Sequence, residues 1–387
     1  MKKMNKSLNK SPHIVFLFSD TGGGHRSATE AIIEALKLEY GDAYTTEMVD
    51  IFKDYAPPPL NQLPALYPQM VRVPQVWGLG YKLSNGDRRS RLMVDSAWPY
   101  IRHSLRQLIA QNPCDLVVSV HALANASFLR ALGKKRPPFI TVVTDLVTTH
   151  ALWYHRQTDL CLVPTEEARQ RALKFGLSAN QVQVVGLPVA DRFCQPPGDR
   201  EALRTHFGWP QNRPIIILVG GGEGMGPLDK TARAIADTCY SAGLVVIAGR
   251  NQALKERLEA HHWPIPTFIY GFVHDMPDFM RAADILVSKA GPGTISEALI
   301  AGLPMILYSR LPGQEDGNVS YVVSQGAGVW APDLTELLNT LKNWLQHPEE
   351  REQAAQACLR LARPQAARQI ARILASKLPL SSQHSSK

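Results

Sequence analysis

The sequence predicts an α/β protein built from two Rossmann-like domains. Apolar runs of strand length alternate with helix-period segments along most of the chain, the pattern of parallel sheets covered by helices. The length, 387 residues, suits two domains of ordinary size. A Pro-Pro-Gly break near the middle, Gln195-Pro196-Pro197-Gly198-Asp199, follows a strand and precedes a new helix, as an interdomain connection does. The expected domains are therefore 1–194 and 195–365, with 366–387 as a C-terminal helix and a frayed Ser-rich tail.

In the first half, strands are expected at 13–19, 45–49, 116–120, 139–144, 160–164 and 182–185. Helices are expected at about 25–40, 90–111, 122–132 and 165–175. Between 55 and 81 the pattern breaks. Six prolines (57, 58, 59, 64, 68 and 74) exclude a long regular helix, yet the stretch is too apolar for a solvated linker. In the second half, strands are expected at 215–219, 244–248, 267–270, 285–288 and 305–308, and helices at about 227–241, 251–260, 293–301, 318–325 and 333–346. The last fifty residues read as helix rich in Ala, Arg and Leu.

Composition narrows the function. Hydrophobic residues at 45% and charged residues at 20% fit a folded globular chain. Forty-two Lys and Arg against 34 Asp and Glu leave a charge of +8, which favours an anionic partner: nucleic acid, an anionic membrane or a phosphorylated substrate. The five cysteines are widely spaced and form no Cys-x-x-Cys, which argues against a disulfide scaffold or a zinc site and for a reducing cytosol. No run approaches the ~20 apolar residues of a membrane span, and no apolar signal core follows Lys2, Lys3, Lys6 and Lys10. The expectation is a cytoplasmic protein, peripheral on the inner face of the cell membrane.

In open α/β sheets, ligands sit outside the carboxyl ends of the strands, so the residues after each strand carry the functional reading. After the first strand comes Ser19-Asp20-Thr21-Gly22-Gly23-Gly24-His25-Arg26 and then a helix. A glycine turn entering a helix lets backbone N–H groups approach a polar ligand. His25 lies in the first helical turn, where the dipole depresses its pKa and leaves it neutral, able to accept a proton. A helix-start histidine bonded to backbone is the alternative. The second half opens its first strand into Gly220-Gly221-Gly222-Glu223-Gly224-Met225-Gly226-Pro227, five glycines in seven residues before a helix. That composition fits close approach to a diphosphate, or a merely flexible loop. Lys289-Ala290-Gly291-Pro292-Gly293-Thr294 repeats the strand–turn–helix form, with Glu297 expected on the first helical turn, either holding a ribose diol or offsetting the dipole. Gly313-Gln314-Glu315-Asp316-Gly317-Asn318 offers many acceptors to sugar hydroxyls, or is a solvated polar loop. The chain has no Asp-x-Asp, His-Glu-x-x-His or Gly-x-Ser-x-Gly. A metal-independent mechanism without a cofactor is the simpler expectation.

These four ordered glycine motifs resemble those of the monogalactosyldiacylglycerol synthases, inverting glycosyltransferases of the GT-B fold in family GT28, related to the MurG-type enzymes. Val142-Val143-Thr144-Asp145 with His150, Trp153 and His155, and Gly186-Leu187-Pro188, add to the likeness, which spans about 13–330. The resemblance implies two domains facing across a cleft, the second binding a UDP-sugar (UDP-galactose or UDP-glucose) and the first diacylglycerol. It implies His25 as the base, with Asp20 orienting it. Phe272 and Val273 would line the uracil pocket, Glu297 would hold the ribose, and Gln314 and Glu315 the sugar. The donor loops would add Gly221, Gly222, Glu223, Gly224, Met225, Gly226, Gly291, Gly293, Thr294 and Asn318. Gly23, Gly24, Asp145 and His150 would serve the acceptor. A lipid acceptor would give the 55–81 stretch a role, with Trp77, Tyr67, Tyr81 and Leu79 at the bilayer interface. The nearby cations Lys82, Arg88, Arg89, Arg91, Arg102 and Arg106 would bind anionic lipids, each contributing about 1 kcal/mol; a basic solvent face over the core is the alternative. The rival donor is glucose. A nucleic-acid-binding module is disfavoured, because no aromatic–basic motif accompanies the charge.

Overall fold

The computed structural model describes residues 11–378 apart from Gly22, Val71, Arg72, Pro197, Met225 and the side chain of Pro68. The expectations on Met225 and on the tail from 379 onward lie outside the described residues. The chain divides into two compact units, Met1–Asp191 with Gln365–Lys387, and Arg192–Pro364.

The first unit holds a parallel sheet ordered β2-β1-β3-β4-β5-β6: β1 (His13–Phe18), β2 (Thr45–Asp50), β3 (Leu116–Ser119), β4 (Phe139–Val142), β5 (Leu160–Val163) and β6 (Val182–Val184). Its helices are α1 (Gly24–Tyr40), α2 (Leu63–Met70), α3 (Pro74–Ser84), α4 (Asp87–Gln111), α5 (Ala124–Leu132) and α6 (Glu166–Lys174), and a single turn, α7 (Asp191–Cys194), follows. Parallel strands are covered on both faces, so they read as continuous apolar runs. In β1, Ile14 and Phe16 join a core with Ile32 and Leu36 of α1, while Val15 and Leu17 join another with Leu105 and Leu108 of α4 and Phe128 of α5.

The second unit contains α8 (Arg200–Phe207), β7 (Ile215–Val219), α9 (Leu228–Ala236), β8 (Gly243–Ile247), α10 (Gln252–Glu259), β9 (Thr267–Tyr270), α11 (Met276–Ala282), β10 (Ile285–Lys289), α12 (Pro292–Ala301), β11 (Met305–Ser309), α13 (Asp316–Ser324), β12 (Gly328–Trp330), α14 (Leu334–Gln346) and α15 (Pro348–Leu361). Its parallel sheet runs β12-β11-β10-β7-β8-β9. Ile216, Leu218, Leu244, Val246, Ile285 and Val287 share one core with α9 and α14.

The final helix, α16 (Ala366–Ser376), packs into the first unit: Ala367, Ile370, Ala371 and Leu374 join the core around Ile32 and Leu36. Arg368 reaches Asp191 at 2.8 Å and Glu39 at 3.2 Å, and Arg372 reaches Glu39 at 2.8 Å. Among its described residues, the 55–81 stretch contains no long helix. It holds two short ones, α2 and α3, with Pro74 at the start of α3, where a missing N–H costs nothing. Strand α/β alternation did not signal these helices, nor α11 and β12.

Candidate active site

In each sheet the strand order reverses once, beside the first strand of the unit. In the first unit this point lies between β1 and β3, and in the second between β7 and β10. Such switch points open a crevice at the carboxyl ends of the strands.

At the first switch point, Gly23 caps α1 with φ 75°, a left-handed conformation that glycine adopts without strain, and open space lies beside both Gly23 and Gly24. His25 is the second residue of α1. Its Nδ1 lies 2.8 Å from the Thr144 hydroxyl, just beyond β4, and its ring meets His121, just beyond β3, edge-on at 4.6 Å. Burial lowers the His25 pKa to about 4, against a smaller upward pull from the Val120 carbonyl, so the ring is neutral at pH 7. His121 is also held well below its ordinary value, by burial and then by His25. Its Nδ1 accepts the Leu123 N–H at 3.3 Å, so the neutral ring carries its proton on Nε2, 3.1 Å from the Thr21 hydroxyl. Trp153 packs 6.0 Å from His25 and donates its indole N–H to Asp145 at 2.7 Å.

Asp20, expected to orient His25, is engaged by Arg26. Arg26 grips the Asp20 carboxylate with two bonds of 2.6 Å, and the group hydrogen-bonded to His25 Nδ1 is the Thr144 hydroxyl. Asp145 acts on Trp153. His150 lies one step further out, with Nε2 3.1 Å from the Ser84 hydroxyl and its ring edge-on to Tyr81. Burial, then Arg171, lowers its pKa to about 4. Tyr81 donates to the Thr148 carbonyl at 2.7 Å, and Trp77 packs edge-on against Tyr67. Tyr67, Trp77 and Tyr81 are each half-buried. The exposed face of α3 is aliphatic: Val76, Leu79 and Leu83 are 66%, 60% and 60% exposed at helical spacing. Arg88, Arg89 and Arg91 are exposed nearby. Arg91 is paired with Asp87 at 2.9 Å, and Arg89 donates to the Lys82 carbonyl at 3.2 Å.

At the second switch point the glycine turn after β7 packs against the turn after β8. Arg250 N–H donates to the Gly222 carbonyl at 2.8 Å, and Gly224 N–H to that of Gly221 at 3.0 Å. Gly221, Gly224 and Gly226 all have positive φ. Glu223 pairs with Arg250 at 2.7 Å, and the Arg250 guanidinium lies 4.5 Å over the exposed Phe272 ring; Val273 beside it is half-buried. Gly291 caps α12, with Gly293 and Thr294 in its first turn. Because α12 begins at Pro292, Glu297 is its sixth residue and stands on the second turn rather than the first. Burial raises its pKa to about 7, opposed by Arg192.

Glu315 differs from expectation. It is buried, one oxygen 2.9 Å from Lys289 Nζ and the other accepting the Leu311 N–H at 2.7 Å. Gln314, beside it, is half-buried. Asn318 donates to the Ala290 carbonyl at 2.9 Å, and its Oδ1 is buried without a partner among the described residues. Such an acceptor is satisfied by an ordered water or by a ligand group. Among the described residues, no group of three or more His, Cys, Asp or Glu is placed to hold a metal ion. Sequence reasoning assigned no role to Thr144 and His121, which the fold brings against His25, or to Lys289, which it brings against Glu315, although each sits at or just past the carboxyl end of a strand, the rule that found His25.

This two-sheet architecture recurs in solved structures. An S. aureus MnaA–UDP structure matches with a TM-score of 0.64 at 15% identity, covering 97% of this chain and 99% of that one. An Acinetobacter baumannii MurG structure matches with a TM-score of 0.59 at 17% identity, covering 94% and 99%. A family model described as "Glycosyltransferase family 28 C-terminal domain" matches residues 215–370, and the chain is a glycosyltransferase of the GT-B fold. More narrowly, it belongs to the monogalactosyldiacylglycerol synthase family. The model "Monogalactosyldiacylglycerol (MGDG) synthase" matches residues 25–189. A probable monogalactosyldiacylglycerol synthase 2, chloroplastic, of Oryza sativa subsp. japonica is 39% identical over 92% of this chain and 78% of its own length. Monogalactosyldiacylglycerol synthase 1, chloroplastic, of Arabidopsis thaliana is 38% identical over 91% and 68%. The expected placement on the cytoplasmic face of a cell membrane is overturned by these relatives, which are chloroplastic by name. Among the described residues no helix is long and apolar enough to cross a membrane.

Proposed function

We propose that this chain transfers galactose from UDP-galactose to the sn-3 hydroxyl of 1,2-diacylglycerol with inversion, forming β-monogalactosyldiacylglycerol. Family membership over 92% of the chain carries the reading, and the geometry distributes the roles. His25, neutral and fixed by Thr144, takes the proton of the acceptor hydroxyl as that oxygen attacks the anomeric carbon. A single displacement expels UDP and inverts the α-linked sugar. Phe272 and Val273 serve the uracil, and Glu297 the ribose. Gln314 and Asn318 serve the sugar; Glu315 stands behind Lys289. The test compares UDP-galactose with UDP-glucose in transfer to diacylglycerol in anionic liposomes. Galactose preference is the expected result. Glucose preference moves the chain to the glucolipid reaction, and transfer of neither removes the acceptor assignment.

Glu297 sets a pH dependence. A ribose diol donates to a carboxylate, so donor affinity belongs to the ionised form, present above about pH 7 and lost as pH falls through it. The KM for UDP-galactose is expected to rise below pH 7, and Glu297→Gln to raise it roughly 10–100-fold and flatten that dependence, from the loss of one hydrogen bond to charge worth about 1.5–3 kcal/mol. An unchanged acid limb in the variant would move the ribose elsewhere.

Membrane contact belongs to the aliphatic face of α3 and the cations beside it. Arg88→Glu is expected to weaken binding to anionic vesicles roughly fivefold or more, at ~1 kcal/mol per lost charge near the surface, and Leu79→Ser to weaken it independently of salt. Flotation with neutral and anionic vesicles at two salt concentrations reads both. Equal binding by all variants would leave α3 out of the docking face.

A further inference from the structure

We propose that Lys289 is the cation that receives the diphosphate of the sugar nucleotide, held in position by Glu315 between the two glycine turns of the second unit; this rests on the donor-site reading above. Four observations converge. First, Lys289 ends β10, one of the two strands at the switch point, where Ser288 pairs with Val219, the last residue of β7. Second, the register of β10 against β11 shifts between Ser288 and Lys289. Ser288 pairs with Leu307 and Lys289 with Ser309, so the extra residue, Tyr308, falls on β11 and ends the regular ladder beside Lys289, as bulges beside functional sites do.

Third, the ammonium lies where the two turns come close. A Cβ placed on Gly291 would stand 3.0 Å from Lys289 Nζ, and one on Gly221 would stand 3.4 Å from its Cε. Glycine at both positions keeps room for the lysine and for whatever it meets. Fourth, the ion pair is asymmetric. The Glu315 side chain is 4% exposed and both its oxygens are engaged, while that of Lys289 is 26% exposed. Only one of the three ammonium N–H donors has a protein acceptor among the described residues.

A buried ion pair is poor evidence for stability, because desolvation offsets its attraction. Here it fixes a flexible lysine at one point, which removes the ordering cost that the side chain would otherwise meet on binding. A diphosphate arriving between the turns would take the unused N–H donors together with backbone N–H groups at the start of α12. When the C1–O bond to the sugar breaks, the electron pair stays on the β-phosphate oxygen, and a cation already in place stabilises that charge more than the ground state. Lys289 thus acts on leaving-group departure as well as on binding.

The experiment measures the affinities of uridine, UMP and UDP by calorimetry for the full chain and three variants. In the unaltered chain, affinity is expected to rise with each phosphate. Lys289→Met should bind uridine within about twofold of that value but UDP at least tenfold more weakly, so that the gain from uridine to UDP collapses, along with its salt dependence. Lys289→Arg should restore part of it. Should Lys289→Met fail to fold with Glu315 left unpaired, Lys289→Met with Glu315→Gln leaves no lone buried charge and should show the same collapse. Undiminished UDP binding in the folded Met variant or the double variant overturns the proposal. Equal loss for uridine and UDP also overturns it, by showing a general structural role. An unaltered chain that binds none of the three overturns the donor-site reading, and this one with it.

Discussion

His25→Ala is expected to lower sugar transfer by about 10²–10⁴-fold, the usual contribution of a positioned general base, while UDP binding stays within a factor of two. The reason for the split is local. His25 sits on the first turn of α1 against Thr144 and His121, all in the first unit, whereas the donor groups belong to the second. The loss should therefore fall on kcat. Thr144→Val, which removes the hydroxyl at Nδ1 but keeps the shape, is expected to retain part of the rate. Because burial places the His25 pKa near 4, the free base stays unprotonated from pH 5 to 8, and the acid limb expected near pH 7 belongs to Glu297. A rate in His25→Ala within threefold of the unaltered chain would remove the base assignment; a parallel loss of UDP affinity would point to misfolding instead.

The strands were legible because a parallel sheet buried on both faces leaves uninterrupted apolar runs. Ile215–Val219, buried throughout, matches its expected limits. His25 was legible for a related reason: a glycine turn, a helix start and a strand end are all local. What was not legible is pairing across distance. Glu315 looks like a sugar ligand in its own loop, and only the folded chain brings Lys289, 26 residues earlier, onto its oxygen. Asp20 looks like a partner for His25 because it is five residues away, yet Arg26 on the same helix claims it with two bonds. The α3 stretch misled through composition. Trp77 and Tyr81 suggested an interface, but Tyr81 reaches the Thr148 carbonyl and thereby turns the aliphatic face outward. The terminal helix, Ala-rich and unremarkable alone, joins the first unit through Arg368 and Arg372, whose partners lie hundreds of residues away.

Gly224→Ala is expected to weaken donor binding and lower the melting temperature together. Gly224 has φ 58°, and a Cβ there would lie 2.0 Å from the Ala248 carbonyl oxygen and 3.0 Å from Asn251 Cβ. The contact is backbone, so no side chain can rotate away. On the facing turn, Gly249 has φ 60°, and a Cβ there would meet the Gly222 carbonyl at 2.3 Å. The two turns thus lock back to back, and Asn251, which caps α10 by accepting the Leu254 N–H at 3.0 Å, is drawn into the same contact. A left-handed alanine costs about 1–2 kcal/mol, and the overpacking about 1–3 more. At roughly 2–4 °C per kcal/mol for a domain of this size, the melting temperature should fall by about 4–20 °C. The turn must also shift, taking Gly221 and Gly222 with it, so the KM for UDP-galactose should rise at least tenfold. Gly293→Ala separates geometry from recognition. Its φ is ordinary, and a Cβ there would meet nothing within 4 Å, so the melting temperature should hold. Donor affinity should still fall if the diphosphate lies against the start of α12, because the new methyl occupies the space of approach. Unchanged melting and KM in Gly224→Ala would mean that this glycine turn is permissive rather than built. Unchanged KM in Gly293→Ala would move the diphosphate away from α12.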